Sequence, residues 1–501
     1  MLHGWGKHGR GAAIVLAAML AAVALAAVLV TVATARPLGF LHIRTNLSHT
    51  ATLVSADPDL ATSPDGDHVA VVWTEGYMGV VGNKGHVYLR AASEAAPGWS
   101  DKVRVFSGSQ FAYAYDAAVA VTGTVAHVTY VVFRSNPAGS LYLREVRHKK
   151  CDLSQSPVLC DALAEVVVSV DASVYTITWV DITLDAGENP HVVWAQYDNS
   201  KAGDIRYRAR DASGWGGVEA VASDGDNNRP SIAWADGYAH VVWQERTAPS
   251  IMYWRRAGSG GGSTEELHSS QAISYSVPNP DVAAGAGHVF VVWEQCAGLD
   301  GSVCRTYNLA YRRSNDKGAS WVGGIREVGS DEVDFGEEYS SVNVLSEMSE
   351  FLLYLRPSIA LNEDGWPVVV WHAESADDTQ GTEYVIYYSY ASSGASADSL
   401  EWEVNPPSTL FTGTVGSAAV GVGQGDSSPV LHVAFMQQVN ANAWDVFYGS
   451  NEEDRYPHVY LPLVAKDYRS YRYLYLPFVA KAHHGATAAL HATTSRRPGA
   501  R

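Results

Sequence analysis

Pro230-Ser-Ile-Ala-Trp-Ala-Asp-Gly-Tyr-Ala-His-Val-Val-Trp243, followed by Ile251-Met-Tyr-Trp-Arg-Arg256, decides the fold. Residues 230–234 alternate small and apolar side chains, and Asp236-Gly237 is a hairpin turn signal. Residues 240–243 and 251–256 are runs of β-branched and aromatic residues, so the stretch predicts three short antiparallel strands. The pattern returns in Pro280-Asp-Val-Ala-Ala284, His288-Val-Phe-Val-Val-Trp293 and Asn308-Leu-Ala-Tyr-Arg-Arg313. It returns again in Pro357-Ser-Ile-Ala-Leu361, Pro367-Val-Val-Val-Trp371 and Val385-Ile-Tyr-Tyr-Ser-Tyr390.

Further copies lie on either side. Three precede the quoted stretch, at 58–99, 116–144 and 175–215, and a shorter one follows at 417–448. The aromatic that ends the second strand falls at Trp73, Phe133, Trp194, Trp243, Trp293, Trp371 and Phe435, spaced as the blades of a β-propeller are. Period-two alternation runs throughout, with no helical period between 40 and 450. An all-β, seven-bladed β-propeller is therefore expected, with six blades as the alternative if the divergent second copy is an insertion. The last copy lacks a fourth strand, and residues 45–54 precede the first copy without a hairpin of their own. The expectation is that this N-terminal strand closes the ring in the last blade, removing free sheet edges.

With 501 residues, 47% of them hydrophobic, the chain has ample material for a core. Its net charge of -18 repels phosphate backbones and argues against nucleic acid as a partner. Lys7 and Arg10 precede an apolar run at 12–32, and Ala33-Thr-Ala35 offers small residues at cleavage-site spacing. Residues 1–35 are thus expected to be a signal peptide or, uncleaved, an N-terminal membrane anchor. Both readings export the rest of the chain. The propeller is assigned to 36–450 and a tandem tail to 451–481, where Tyr-Leu-Pro-Leu-Val-Ala-Lys466 is echoed by Tyr-Leu-Pro-Phe-Val-Ala-Lys481. Residues 482–501 are expected to be disordered.

The four cysteines form two local pairs, Cys151 with Cys160 and Cys296 with Cys304, each bracketing a polar, turn-rich stretch. Three connectivities are open to four cysteines, and the two local disulfides are favoured because each lies within one connection. No metal site is expected. There is no CxxC pair, and His68, His127, His191, His240 and His288 open second strands around a ring, too far apart to share an ion. Asp224-Gly-Asp-Asn-Asn228 lacks the spacing of a calcium loop. No cofactor motif is present.

Ser314-Asn-Asp-Lys-Gly-Ala-Ser-Trp321 matches the S-x-D-x-G-x-T-W pattern of the Asp-box, or BNR, repeat, with Ser320 at the Thr position. In such a turn Asp316 accepts backbone donors beside Ser314, Gly318 takes a positive φ, and Trp321 packs beneath the hairpin. With the repeat pattern, this resembles the sialidase superfamily of β-propellers. The tail doublet is similar to a YLPLV-type motif near the C-termini of secreted bacterial proteins, for which a surface-retention or processing role is one reading and plain packing or linker the other.

The resemblance implies three arginines that hold a substrate carboxylate, a Tyr nucleophile helped by a Glu, and an Asp acid/base. The family's Arg-Ile-Pro motif is absent here. Arg-Pro-Ser stands instead at Arg229 and Arg356, each opening an innermost strand, with no third arginine at the equivalent positions. Candidates for catalysis are Arg229, Arg356, Tyr113, Tyr115 and Glu245. Candidates for binding are Arg229, Arg356, Asp281, Glu75, Glu294 and Glu374, the glutamates lying at the ends of the Trp strands. Residues recurring at one position in most blades are also a means of joining blades. The expected function is an exported, sialidase-like, non-catalytic protein that binds a glycan or a protein on its channel face, monomeric and attached to a membrane or cell surface if the apolar run is retained. The alternative is an exo-sialidase-type glycoside hydrolase.

Overall fold

Seven antiparallel sheets follow one another along the chain in the computed structural model. It describes residues 45–450, apart from internal stretches of which 270–278 and 329–356 are the longest, together with 462–467 and 470–475. Each blade runs from an innermost strand outward. Blade 1 comprises Ser55–Thr62, His68–Glu75, His86–Ser93 and the outer strands Ala96–Trp99 and Val103–Phe106. Blade 2 comprises Ala112–Thr122, Val125–Ser135, Tyr142–Asp152, Leu159–Cys160 and Glu165–Val170. Blade 3 comprises Val174–Leu184, Pro190–Asp198, Gly203–Asp211, Gly214–Trp215 and Glu219–Ala222. Blade 4 comprises Asn227–Ala235, Tyr238–Glu245, Ser250–Ala257 and Gly262–Ser269. Blade 5 comprises Asp281–Gly285, His288–Asp300, Val303–Ser314 and Arg326–Glu327. Blade 6 comprises Ser358–Leu361, Pro367–Asp377, Gly381–Ser393, Leu400–Trp402 and Ser408–Gly413. Blade 7 comprises Val415–Gly423, Val430–Asn440 and Ala443–Ser450, with the two-residue strand Thr45–Asn46 outermost. The second copy is a complete blade, so the six-bladed alternative falls.

The expected closure is corrected. No sheet is closed on itself, and each remains an open stack of four or five strands. Among the described residues of 45–54, Thr45–Asn46 forms a ladder opposite Tyr448 and Phe447, and Val54 makes an isolated bridge to Trp444. The cause is local. His49 takes a φ of 49°, and the Asp445 carboxylate accepts hydrogen bonds from the Thr50 backbone N–H and the Ser48 hydroxyl, drawing the chain away from strand pairing.

The core lies between blades. Each hydrophobic cluster joins two neighbouring sheets, and Trp73, Trp194, Trp243, Trp293, Trp371 and Phe435 are fully buried against the preceding blade. Truncating one such side chain to Ala costs about 3–5 kcal/mol, which explains why the repeat is spoken in tryptophans. Arginines of the third strands add polar bolts. Arg90 donates to Leu47 O, Arg208 to Val167 O and Arg312 to Leu267 O, each carbonyl lying outermost on the preceding blade. The strand-opening histidines have a second role. His191, His240 and His432 place Nδ1 against the hydroxyls of Tyr207, Tyr253 and Tyr448 on the third strand, and in blade 2 His148 takes the tyrosine's place beside His127.

Cys151 and Cys160 form a disulfide across the hairpin of blade 2. The stretch 296–304 reads as a connection in sequence, yet the strands of blade 5 run through it, pairing Cys296 with Tyr307 and Leu299 with Cys304. The side chains of Cys296 and Cys304 lie outside the described residues, as do residues 1–35 and 482–501. No helix of the described residues is long and apolar enough to cross a membrane. Residues 456–501 form a unit separate from the propeller, and within it Pro462–Asp467 pairs antiparallel with Ser470–Tyr475.

Candidate functional site

Seven innermost strands adjoin in cyclic order around one axis, and a cavity of about 280 Å³ opens where they begin. It is lined by a short segment from every blade. In blades 1, 2, 3, 4 and 7 that segment is a β-bulge, where the register slips and one residue adopts a positive φ: Asp57 (48°), Asp116 (46°), Trp179 (57°), Arg229 (50°) and Ser417 (22°). Left-handed non-glycine residues cost of order 1–3 kcal/mol each and concentrate at functional sites. Here the bulges bring two aspartates, a tryptophan, an arginine and a serine to the mouth. Asn279 occupies the same place in blade 5.

Two residues further along, the same strands carry a second ring that stitches blade to blade. Asp59 accepts a hydrogen bond from the Val119 N–H of blade 2 (2.7 Å), Asp181 from Ile232 N–H of blade 4 (2.8 Å) and Asp281 from Ile359 N–H of blade 6 (2.9 Å). The Ser231 hydroxyl donates to Asp281 (2.6 Å), and Asp116 joins blade 2 to blade 3 by accepting from Trp179 N–H (2.8 Å).

By surface area Asp59, Asp181 and Asp281 are half-open, but only to the narrow cavity, and protein surrounds them on all other sides. A carboxylate at the foot of such a well loses most of its hydration. Burial, with the facing carboxyl of Asp181 adding to it, pushes Asp59 up to about 8. Burial likewise pushes Asp181 up to about 7 against the hydrogen bond from Ile232, with Asp281 adding to the rise. Burial raises Asp281 as well, opposed by the hydrogen bonds it accepts.

Of the sequence candidates, Arg229 and Asp281 reach the cavity. The Arg229 guanidinium lies over the Trp179 indole, 4.8 Å from the ring centroid. Arg356 falls outside the described residues, and among the described residues Arg229 is the only arginine lining the cavity. Tyr113 and Tyr115 do not line it. The Tyr113 ring stacks on Phe133, and the Tyr115 hydroxyl donates to Ile177 O at 2.8 Å.

The glutamate ring is occupied in holding loops and strands. Glu75 is buried and accepts from Trp73 Nε1 (2.8 Å) and Lys102 Nζ (3.0 Å), Glu245 accepts from Thr247 N–H (2.8 Å), and Glu294 accepts from the Asn279 amide. Glu374 sits in the second strand of blade 6 opposite Tyr384, and its side chain is outside the described residues.

Sequence reasoning missed Asp59, Asp116, Asp181 and Trp179. The signal was available in Asp57-Pro-Asp59, Trp179-Val-Asp181, Arg229-Pro-Ser231 and Asn279-Pro-Asp281, where the first residue varies and the third is a short oxygen-bearing side chain.

At the turn after the third strand of blade 5, Asp316 accepts hydrogen bonds from Ala319 N–H, Ser320 N–H and the hydroxyls of Ser314 and Ser320. Gly318 has a φ of 75°, its N–H donates to Ser314 Oγ, and Trp321 meets Tyr253 edge-on at 4.9 Å. Burial tends to raise Asp316, but these donors prevail and hold it at about 2. The turn lies on the outer part of the blade, away from the cavity lining. No group of three or more His, Cys, Asp or Glu suited to a metal ion occurs among the described residues.

No family model and no curated protein matches the chain. Among solved structures it is similar to a variant of the NanB sialidase from Streptococcus pneumoniae, with 11% identity over 82% of this chain and 70% of that one and a TM-score of 0.42. It is similar to the Trypanosoma rangeli sialidase in complex with sialic acid at 9% identity, covering 81% of this chain, with a TM-score of 0.41. The chain spans 58% of that protein's length. It is similar also to the intramolecular trans-sialidase from Ruminococcus gnavus at 11% identity, over 81% and 96% of the two chains, with a TM-score of 0.43. At this level the likenesses carry no argument about the chemistry of the cavity.

Proposed function

We propose that the protein is an exported, non-catalytic β-propeller of the sialidase-like, Asp-box type that binds a neutral or weakly charged glycan at the mouth of its central channel. The observation that carries this reading is the asymmetry of the bulge ring: six positions equivalent in the repeat hold five kinds of side chain, in Asp57 and Asp116, Trp179, Arg229, Asn279 and Ser417. Joining blades asks for sameness; recognising one ligand asks for difference. Carboxylate, amide, hydroxyl and guanidinium groups around a concave mouth suit sugar hydroxyls. Among the described residues one guanidinium stands with several carboxyls, a poor clamp for a strongly anionic ligand, and the Tyr115 hydroxyl is engaged with Ile177 O away from the cavity. Export is supported by the apolar N-terminal run and by the Cys151–Cys160 disulfide, a bond kept in oxidising compartments.

The test is a glycan array probed with the purified protein alongside a fluorogenic sialoside. The expected result is array binding that Arg229→Ala weakens, with no turnover. Sialoside turnover abolished by Arg229→Ala would overturn the reading in favour of the hydrolase.

A further inference from the structure

Asp59, Asp181 and Asp281 come from blades 1, 3 and 5, at one level of the hub, and each is bonded to the backbone of the blade that follows. Three carboxyls in alternate blades cannot all carry charge around one narrow well without repelling across the axis. The groups facing them from the same cavity are Asp57, Asp116 and Arg229, while the described lining residues of blades 6 and 7, Pro357, Ser417 and Ala418, bring no charge. Among the described residues one guanidinium, turned against Trp179, stands against five carboxyls. Hydrogen bonds divide the three unequally. Asp281 accepts from Ser231 Oγ, Val282 N–H and Ile359 N–H, Asp181 from Ile182 N–H and Ile232 N–H, and Asp59 from Val119 N–H, so Asp281 is the best placed to hold a negative charge. Asp59 and Asp181, with fewer donors, are the better placed to keep a proton.

We propose that this aspartate ring is a proton-operated latch at the hub, closed when Asp59 and Asp181 are protonated and loosened when they ionise, so that the innermost strands and the channel mouth open above neutral pH. The mechanism needs no ligand. Ionisation of Asp59 and Asp181 beside the charged Asp281 sets three carboxylates against one another across the well, and this repulsion, opposed by the stronger N–H bonds that a carboxylate accepts, is what strains the stitches at Val119 and Ile232.

The experiment is thermal unfolding and amide hydrogen exchange of the full chain from pH 6 to pH 9, with exchange corrected for its intrinsic pH dependence. The unfolding midpoint is expected to fall by several degrees across this range, and exchange at Val119 and Ile232 to quicken more than at Val241 or Val291 in second strands. Asp59→Asn and Asp181→Asn keep an acceptor and remove the titration, and their midpoints are expected to vary less with pH than that of the wild type. Equal pH slopes in wild type and both variants would overturn the latch. Should a variant fail to fold, infrared difference spectra of the wild type decide: a carboxyl band titrating above pH 6 supports the latch, and complete ionisation by pH 6 overturns it.

Discussion

The Arg229 guanidinium and the Trp179 indole lie 4.8 Å apart across the boundary between blades 3 and 4, both held by left-handed bulges at the channel mouth. A cation over an indole contributes about 0.5–2 kcal/mol, more as water is excluded. The pair joins the only aromatic ring and the only arginine that line the cavity among the described residues. Trp179→Ala is expected to weaken glycan binding roughly tenfold, about 1.4 kcal/mol, by releasing the arginine. Arg229→Lys should weaken it comparably, because an ammonium cannot stack as a planar guanidinium does. Isothermal titration with the best array hit measures both. Unchanged affinity in the two variants would move the ligand away from this mouth.

Asp445 ties the N-terminal segment to blade 7. Its carboxylate accepts from Asn46 Nδ2, Ser48 Oγ and Thr50 N–H, and is buried. Burial raises this carboxyl, but the donors of Thr50, Asn46 and Ser48 outweigh it and leave it below the usual range. Asp445→Ala is expected to cost at least about 1.5–3 kcal/mol in denaturant unfolding, because buried donors are left without an acceptor. Since the folded carboxyl titrates lower than the unfolded one, its contribution is present above the ordinary carboxylate range and is lost as pH falls through the folded value. Asp445→Asn should therefore flatten the stability profile on the acid side of pH 4.

Buried histidines set the limit at intermediate acidity. Burial, with His148 beside it, pushes His127 down to about 3, and burial pushes His148 to about 4, His240 to about 4 and His432 to about 3. A base that gains its proton more easily unfolded than folded contributes stability that is complete above its unfolded value and declines as pH falls from there toward the folded value. Stability is accordingly expected to fall from about pH 6.5 toward pH 4. The hub aspartates act with the opposite sign, so the midpoint should pass through a maximum near neutrality. Replacing His432 with Gln should lower the maximum and reduce the slope on the acid limb while leaving the alkaline limb intact. A profile that rises steadily into acid would contradict the assignment.

Period-two alternation, the Asp-Gly turns and the recurring tryptophans determine the fold class, because each copy carries its own strand and turn chemistry in a short window, whereas the choice of seven blades over six waited on the sheet formed by the divergent second copy. The Ser314–Trp321 turn is legible for the same reason: its donors and acceptors are within seven residues of one another. Only the tertiary structure decided which polar residues share the hub. Asp59, Asp181 and Asp281 are far apart in the chain, and what brings them together is the stacking of sheets through side chains. The same distance misled the sequence reading of the glutamates. Glu75, Glu245 and Glu294 repeat at one strand position and look like a ring of equals, but each is occupied by a neighbour that folding supplies: Lys102, the Asp226 N–H and Asn279. Closure failed as an expectation for a related reason. The pattern of 45–54 permits a strand, whereas the buried carboxylate of Asp445, almost the whole chain away, takes the hydrogen bonds that a longer strand would have used.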